Sequence, residues 1–309
     1  MPVADSMPGA LPRPAVVPAR DTDRRWASVA AILFASAAFS AMGVCIKAAS
    51  GLLTTWQVVF WRSAVILLIA TPLLARSPAG WRPGNPRRLA IRCVVGLGSM
   101  LCFFHSIEGL TLSTATAIQY LSPVFTVLLA GPLLGEHTKW AGRALVGVAF
   151  GGVLLVLRPE WDGSLQPVLA GVLGAFFAGW VYVTVRQLRT TDPPVRIVWW
   201  FSLTCVLAAL PFAVNAGWPR DGHTWWLALG IGLGATCGQL AMTLAYRLGE
   251  ATRVGPLSYA TVVFSALAGA GLFGEQLSGW SVAGMALIIA TGAALSAGVG
   301  RRRAVPATP

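Results

Sequence analysis

The chain has 309 residues, 56% of them hydrophobic and 11% charged, where ordinary soluble domains carry roughly one quarter charged residues, and this balance excludes a water-soluble fold. A formal net charge of +12 would fit nucleic-acid binding if the basic side chains shared one folded face. They stand instead in the breaks between long apolar runs, so nucleic acid is excluded as a partner and a lipid bilayer is implied. Cys45, Cys93, Cys102, Cys205 and Cys237 all lie inside apolar runs without metal-ligand spacing, which makes them embedded thiols and predicts no metal and no cofactor.

Residues 1–25, with Pro2, Pro8, Pro12, Pro14 and Pro18 and no apolar run ending in a small-residue cleavage site, are expected to be a disordered cytoplasmic tail and not a signal peptide. Hydropathy and breaker residues then predict transmembrane helices over 26–48, 55–75, 90–108, 113–134, 140–157, 166–186, 196–214, 224–246, 253–273 and 280–299, each near the length of about 20 residues that spans a bilayer. The expected fold is therefore all-α, a polytopic membrane protein. Its division is a tail at 1–25, one five-helix unit at 26–158, a second at 164–299 and a basic cytoplasmic tail at 300–309.

Lys47 closes the first helix and is expected to be an interfacial anchor. In the second helix Trp61 and Arg62 lie deep, the arginine six residues past the border residue Trp56, or about 9 Å along the axis. A buried arginine costs about 2.5–3.5 kcal/mol on insertion scales unless it meets a wet cavity, a partner or the interface. Two readings are open for Arg62: a clamp for a substrate carboxylate or phosphate, or a side chain snorkelling to the headgroups. His105 and Glu108, three residues apart at the end of the third helix, could relay a proton, or Glu108 could be a solvated loop residue.

The fourth helix is dense in polar groups: Thr116, Gln119, Tyr120, Ser122 and Thr126, with Pro123 among them. Gln119, Ser122 and Thr126 share a helix face, and Pro123 frees a backbone carbonyl one turn back. Ser258, Tyr259, Thr261 and Ser265 give the ninth helix the same character, with Gln239 and Tyr246 expected nearby on the eighth. These faces either line a pathway or glue the bundle by interhelical hydrogen bonds. Trp180 and Tyr182 of the sixth helix, with Trp61, could wall a cavity or face lipid. Glu136 and Glu275 each follow a glycine at a helix C-terminus. A carboxylate there opposes the helix dipole, so each is expected to hold a basic partner or cap another helix, in a structural or gate-latching role.

Arginines and lysines alternate from break to break. Arg13 to Arg25, Arg76 to Arg92, Lys139 and Arg143, Arg186 to Arg196, Arg247, Arg253 and Arg301 to Arg303 fall on one side, against Arg158 and Arg220 on the other. By the positive-inside rule both termini are cytoplasmic and the helix count is even, which places the chain in a bacterial-type inner membrane.

Shifting the sequence by 139 positions superposes Trp61 on Trp200, Ser63 on Ser202, Pro72 on Pro211, Tyr120 on Tyr259, Phe125 on Phe264 and Gly135-Glu136 on Gly274-Glu275, with Lys47 on Arg186 and Arg62 on Phe201. One constant offset across the chain marks an internal duplication. Five helices are an odd number, so the second unit enters the membrane from the opposite face, and the chain is expected to form two inverted five-helix repeats of the kind that supports alternating access.

The run from Thr114 to Pro123, the Leu134-Gly135-Glu136 helix end, the run from Gly255 to Tyr259 and Phe273-Gly274-Glu275 resemble the drug/metabolite transporter superfamily, in its ten-helix branch with two EamA-type domains. The likeness covers about residues 27–298. One departure stands out: Pro123 has no counterpart before Glu275, where Val262 stands, so the halves are expected to bend differently. The second-half pattern looks like the subgroup with S-adenosylmethionine uptake carriers, and amino-acid exporters share the general plan.

The resemblance and the repeat together imply a secondary permease for a small organic metabolite, such as an amino acid. An uptake carrier for S-adenosylmethionine or a similar solute is the first alternative, and a non-transporting membrane scaffold the second. No ATP-binding glycine motif or nucleophile-base spacing points to an enzyme. The partners implied are a small-molecule substrate and the bilayer, with a coupling proton, an exchanged solute and a second copy of the chain left open.

Overall fold

The structure, a computed structural model, describes residues 21–78, 80–134, 140–157, 165–188, 190–248 and 257–296. Among them every regular element is a helix: α1 (Asp21–Ala48), α2 (Thr55–Ala75), α3 (Pro86–Gly109), α4 (Leu112–Gln119), α5 (Ser122–Leu134), α6 (Trp140–Leu157), α7 (Leu165–Leu188), α8 (Pro194–Asn215), α9 (Gly222–Leu248), α10 (Ala260–Phe273) and α11 (Gly279–Ser296). Seven spans are long and apolar enough to cross a membrane, and one of these is α4 and α5 together, Leu112–Leu133. With α6, α10 and α11 this makes ten spans, in agreement with the sequence. The first helix starts at Asp21, a turn earlier than expected, where Asp21 and Asp23 suit the positive end of the helix dipole.

The helix starts follow from local chemistry. Thr54 and Gln57 form a reciprocal capping box on α2, Asn85 with Pro86 opens α3, and Asp221 accepts the Thr224 N–H at 2.8 Å and its hydroxyl at 2.8 Å to open α9. Each arrangement satisfies amide groups that a helix N-terminus leaves without intrahelical partners.

The packing pairs reveal the symmetry. Helix α1 lies on α9, and its repeat counterpart α7 lies on α3. Likewise α5 meets α7 while α10 meets α1, and α2 meets α9 while α8 meets α3. Two contacts map onto themselves, namely α2 with α8 and α6 with α11, and α4 of the fourth span meets α10 of the ninth. A twofold axis exchanging the halves generates this pattern, and with an odd number of spans per half it lies in the membrane plane. Gly230, Gly234 and Gly238 let α9 approach α1 closely, facing Cys45, Met42 and Phe39.

Two clasps, one at each face, are copies under the same operation. At the arginine-rich face, which carries the connections 76–85 and 189–193, the buried Asp192 accepts the Gly84 and Asn85 amides at 2.8 and 3.2 Å. It also pairs with Arg196 at 3.1 Å. The Arg196 Nε–H donates to the Gly80 carbonyl at 3.1 Å, and the Trp200 indole donates to the Trp81 carbonyl at 3.0 Å. At the other face Gln57, the repeat counterpart of Arg196, donates to the Gly217 carbonyl at 2.6 Å. There Trp61, the counterpart of Trp200, packs edge-on against Trp218 and Trp225. One clasp is charged and the other neutral.

Burial alone pushes the Asp192 carboxyl up, but the hydrogen bonds from Gly84, Thr191, Arg196 and Asn85 outweigh it and hold the group below the usual carboxylate range. With the folded value depressed, the stabilisation is complete above the unfolded value near 3.9 and is lost as pH falls through the folded one. Asp192→Ala is expected to cost about 1–3 kcal/mol at neutral pH by removing the carboxylate that accepts from Gly84, Asn85 and Arg196, read as a lower melting temperature in detergent micelles. The wild-type advantage over this variant should hold between pH 7 and 5 and shrink below about pH 4.

Candidate functional site

The fourth span is expected to run unbroken over 113–134, but it is interrupted at Tyr120 and Leu121. Pro123 has no N–H to give and crowds the preceding turn, so the chain tightens: the Leu121 amide donates to the Ile118 carbonyl at 3.0 Å and the Val124 amide to Leu121 at 2.8 Å. The ninth span breaks at the equivalent place without a proline. There the Thr261 and Val262 amides donate to the Ser258 and Tyr259 carbonyls at 3.1 and 2.9 Å. The halves thus interrupt alike, against the expectation that Val262 would set them apart. At the meeting point the Tyr120 and Tyr259 rings are 5.1 Å apart between centroids, and the Tyr120 hydroxyl donates to Thr261 Oγ at 2.8 Å. Gly292 makes room for the Tyr259 ring, since a β-carbon there would overlap the phenol.

The polar faces divide between glue and interior. Thr126 bonds the Ser122 carbonyl of its own helix at 2.8 Å and reaches the Gly179 carbonyl of α7 at 3.4 Å, and Ser122 bonds Tyr182 of the same helix. On α10, Ser265 reaches Ser40 of α1 and the Ser258 carbonyl accepts from Ser36, both at 3.4 Å, so part of this face holds helices together. Gln119 is different, for its Oε1 is buried with no hydrogen-bond partner among the described residues.

Two guanidiniums stand in the interior. Arg62 of α2 sends Nη1 to the Met100 sulfur of α3 at 3.2 Å, and its buried Nε–H has no acceptor among the described residues. This places the group between α2 and α3. Arg92 belongs to the third helix: the border arginine of the sequence reading lies two turns inside α3. Its Cζ sits 3.8 Å over the Phe201 ring, while buried Nε and Nη1 find no acceptor among the described residues. Cys205 of α8 is within electrostatic reach of both arginines. Tyr182 is near Arg92, yet 53% of its surface is accessible. The side chain turns toward Ser122 of α5 and Arg92 of α3 while remaining half exposed.

The carboxylates among the described side chains, Glu108, Asp192, Asp221 and Glu275, all lie at helix ends or in connections. None of these pairs with Arg62 or Arg92, whose charges cost several kcal/mol per ion in hydrocarbon-like surroundings. Cation–π contact with Phe201 offsets roughly 0.5–2 kcal/mol of it.

At the arginine-poor face the termini of several spans are tied together. Gly274, at φ 65° in the left-handed region, turns the chain so that Glu275 reaches α4. Its carboxylate accepts the Leu112 amide at 2.7 Å, the Ser113 amide at 3.4 Å and the Ser113 hydroxyl at 3.3 Å, while Thr111 accepts the Thr114 amide at 3.3 Å. Lys47 donates to the Ile107 carbonyl at 3.1 Å and to that of Leu110, closing the end of α3. Glu108 accepts the Thr55 hydroxyl at 2.6 Å and lies 3.3 Å from His105 Nδ1.

Of the residues singled out in the sequence, Tyr120 and Tyr259 meet at the paired breaks with Gln119 adjoining, and Pro123 makes the break. Trp61 is not with Arg62: one residue on, it points into the aromatic clasp. Trp180 packs against Phe176 at 6.3 Å. Gln239 is half-buried on α9, and no described hydrogen bond links its side chain to either tyrosine. Glu136 and the Tyr246 side chain lie outside the described residues. Arg92 and Phe201 went unnoticed. The repeat held a signal for them, because Phe201 occupies the position of Arg62 in the second half.

Comparison with known proteins fits this architecture. The model of the EamA-like transporter family matches residues 26–158 and again 165–297. An uncharacterized transporter of Helicobacter pylori is 31% identical over 276 residues, covering 85% of this chain and 92% of that protein. The pseudopaline exporter of Pseudomonas aeruginosa is 30% identical over 266 residues, covering 85% and 94%. A crystal structure superposes with a TM-score of 0.58 at 19% identity, covering 92% of this chain and all of the other, and shares the fold.

Removing the Glu275 cap tests its place in the scaffold. Glu275→Ala is expected to cost about 1–2 kcal/mol by orphaning the Leu112 and Ser113 amides, measured as a lower melting temperature. Glu275→Gln, which keeps one acceptor oxygen, should fall between the two. An unchanged Glu275→Ala protein would show that the cap contributes nothing.

Proposed function

This chain belongs to the EamA-like transporter family, and on that premise we propose that it is a secondary carrier that moves a small organic metabolite bearing a carboxylate across the bacterial inner membrane. The single observation that carries this reading is Arg62: a guanidinium in the bundle interior, between α2 and α3, that has no anionic partner among the described residues. A substrate carboxylate supplies the charge and the acceptors that the fold withholds.

Alternating access follows from the inverted halves. The Gln57 clasp and the α4 cap hold the arginine-poor face, the Asp192 clasp holds the arginine-rich one, and exchanging the packing of the halves trades one closure for the other. The broken spans serve as the moving parts, because their backbone ladders are already interrupted at Tyr120 and Tyr259. The basic connections place the arginine-rich face and both termini in the cytoplasm. The relatives carry transport names, which supports a carrier over a scaffold. S-adenosylmethionine is disfavoured as the solute, since its sulfonium would add a cation to an interior that already holds two.

Counterflow in sealed proteoliposomes tests this reading, with labelled amino acids, short carboxylates and S-adenosylmethionine offered in turn. The expected result is exchange of carboxylate-bearing solutes that Arg62→Gln slows by about tenfold or more, the weight of a lost charge-assisted hydrogen bond. Exchange indifferent to Arg62 would return that residue to a structural role. Absence of exchange for every solute, with protein incorporation verified, would move the chain to a scaffold.

A further inference from the structure

We infer that the interior site takes a substrate carrying two negative charges, one held by Arg62 and the other by Arg92. The inference rests on the carrier reading and adds to it a second anchor and a charge class.

The argument begins with Arg92. It enters the bundle from α3 while Arg62 enters from α2, and the two lie along one stretch of α3: Arg92 Nη1 is 2.8 Å from where a β-carbon at Gly96 would stand, and Arg62 Nη1 meets Met100, one helical turn further on. Cys205 lies within reach of both, which puts the pair around one stretch of α8. Like charges sharing a poorly solvated space repel, and a fold that needed Arg92 only for packing would serve better with an uncharged side chain there. The surroundings accommodate the guanidinium specifically: Phe201 supplies a flat ring 3.8 Å beneath it, and a β-carbon at position 96 would come within 2.8 Å of both Nη1 and that ring.

Unmet donors complete the picture. Nε of Arg62, with Nε and Nη1 of Arg92, are buried N–H groups with no acceptor among the described residues. One carboxylate has two oxygens in a plane and matches one guanidinium fork. Two forks entering from different helices, each with donors to spare, match two such groups or one dianionic phosphate. Tyr182, adjacent to Arg92 and half accessible, marks where this space opens.

The duplication shows that the pair is an addition. Arg62 aligns with Phe201 and Arg92 with Ile231 in the second half, so neither charge is demanded by the scaffold. The added charges cluster on one side of the twofold axis, so the ligand site is asymmetric in a symmetric frame.

The test is binding to purified protein in nanodiscs by titration calorimetry, with melting temperatures of the ligand-free proteins alongside. Probes are glutarate and aspartate as dicarboxylates, butyrate and alanine as single-carboxylate partners, and glycerol phosphate as a phosphate dianion. Wild type should favour dianions over single carboxylates by about tenfold or more. Arg92→Gln should erase that preference while melting no lower than wild type, and Arg92→Lys should keep part of it. Preference for the dicarboxylates assigns two carboxylate groups, and preference for glycerol phosphate alone assigns one phosphate. Equal binding of butyrate and glutarate by wild type would overturn the inference while leaving a one-carboxylate carrier intact, and so would a preference that Arg92→Gln leaves unchanged. If Arg92→Gln melts lower and loses all binding alike, Arg92 is structural and the inference fails.

Discussion

A guanidinium in the middle of a bilayer-spanning bundle requires an anion, and none of the described residues gives one to Arg62 or Arg92. The described carboxylates, Glu108, Asp192, Asp221 and Glu275, sit at helix ends or in connections. Asp192 and Glu275 show how thoroughly the fold compensates its other charges, each with several donors around it. Two interior charges without a partner among the described residues are the feature on which the proposed substrate site rests.

The rest of the structure holds that interior in a frame able to open on either side. Twofold pairing of the spans gives the arginine-rich and arginine-poor faces equivalent closures built from equivalent residues. Arg196 and Gln57 each reach a backbone carbonyl in the opposing connection, and Trp200 and Trp61 each pack into it. The two are not equal in strength, because one contains a buried ion pair and the other does not. A carrier built on inverted repeats needs two packings of similar energy, and in this chain the two clasps differ in charge.

The sequence alone exposes the architecture well, because spanning a bilayer forces long apolar helices and a constant repeat offset survives divergence. Tyr120 and Tyr259 could be paired by arithmetic and do meet in space, their rings tilted against each other. Other features were hidden for physical reasons. Arg92 follows a cluster of loop arginines, and hydropathy cannot tell a side chain that turns inward from one that reaches the headgroups. Trp61 looked like a cavity wall because its partners, Trp218 and Trp225, are far along the chain. The break at Tyr259 arises without a proline, from tight turns that Ser258 and Tyr259 accept, and leaves no breaker residue to read. Glu275 was legible as a structural acid, but its partner, the start of α4, was not.

The central claim is a wet, basic hollow inside the bundle. Cysteine accessibility measures it directly: Tyr182→Cys, on a background with Cys45, Cys93, Cys102, Cys205 and Cys237 replaced, reacted with methanethiosulfonates of opposite charge in oriented vesicles. The account predicts modification from the arginine-rich face, with the anionic reagent faster than the cationic one and the difference abolished when Arg62 and Arg92 are both changed to glutamine. Lack of reaction with either reagent, or equal rates for both, would contradict it.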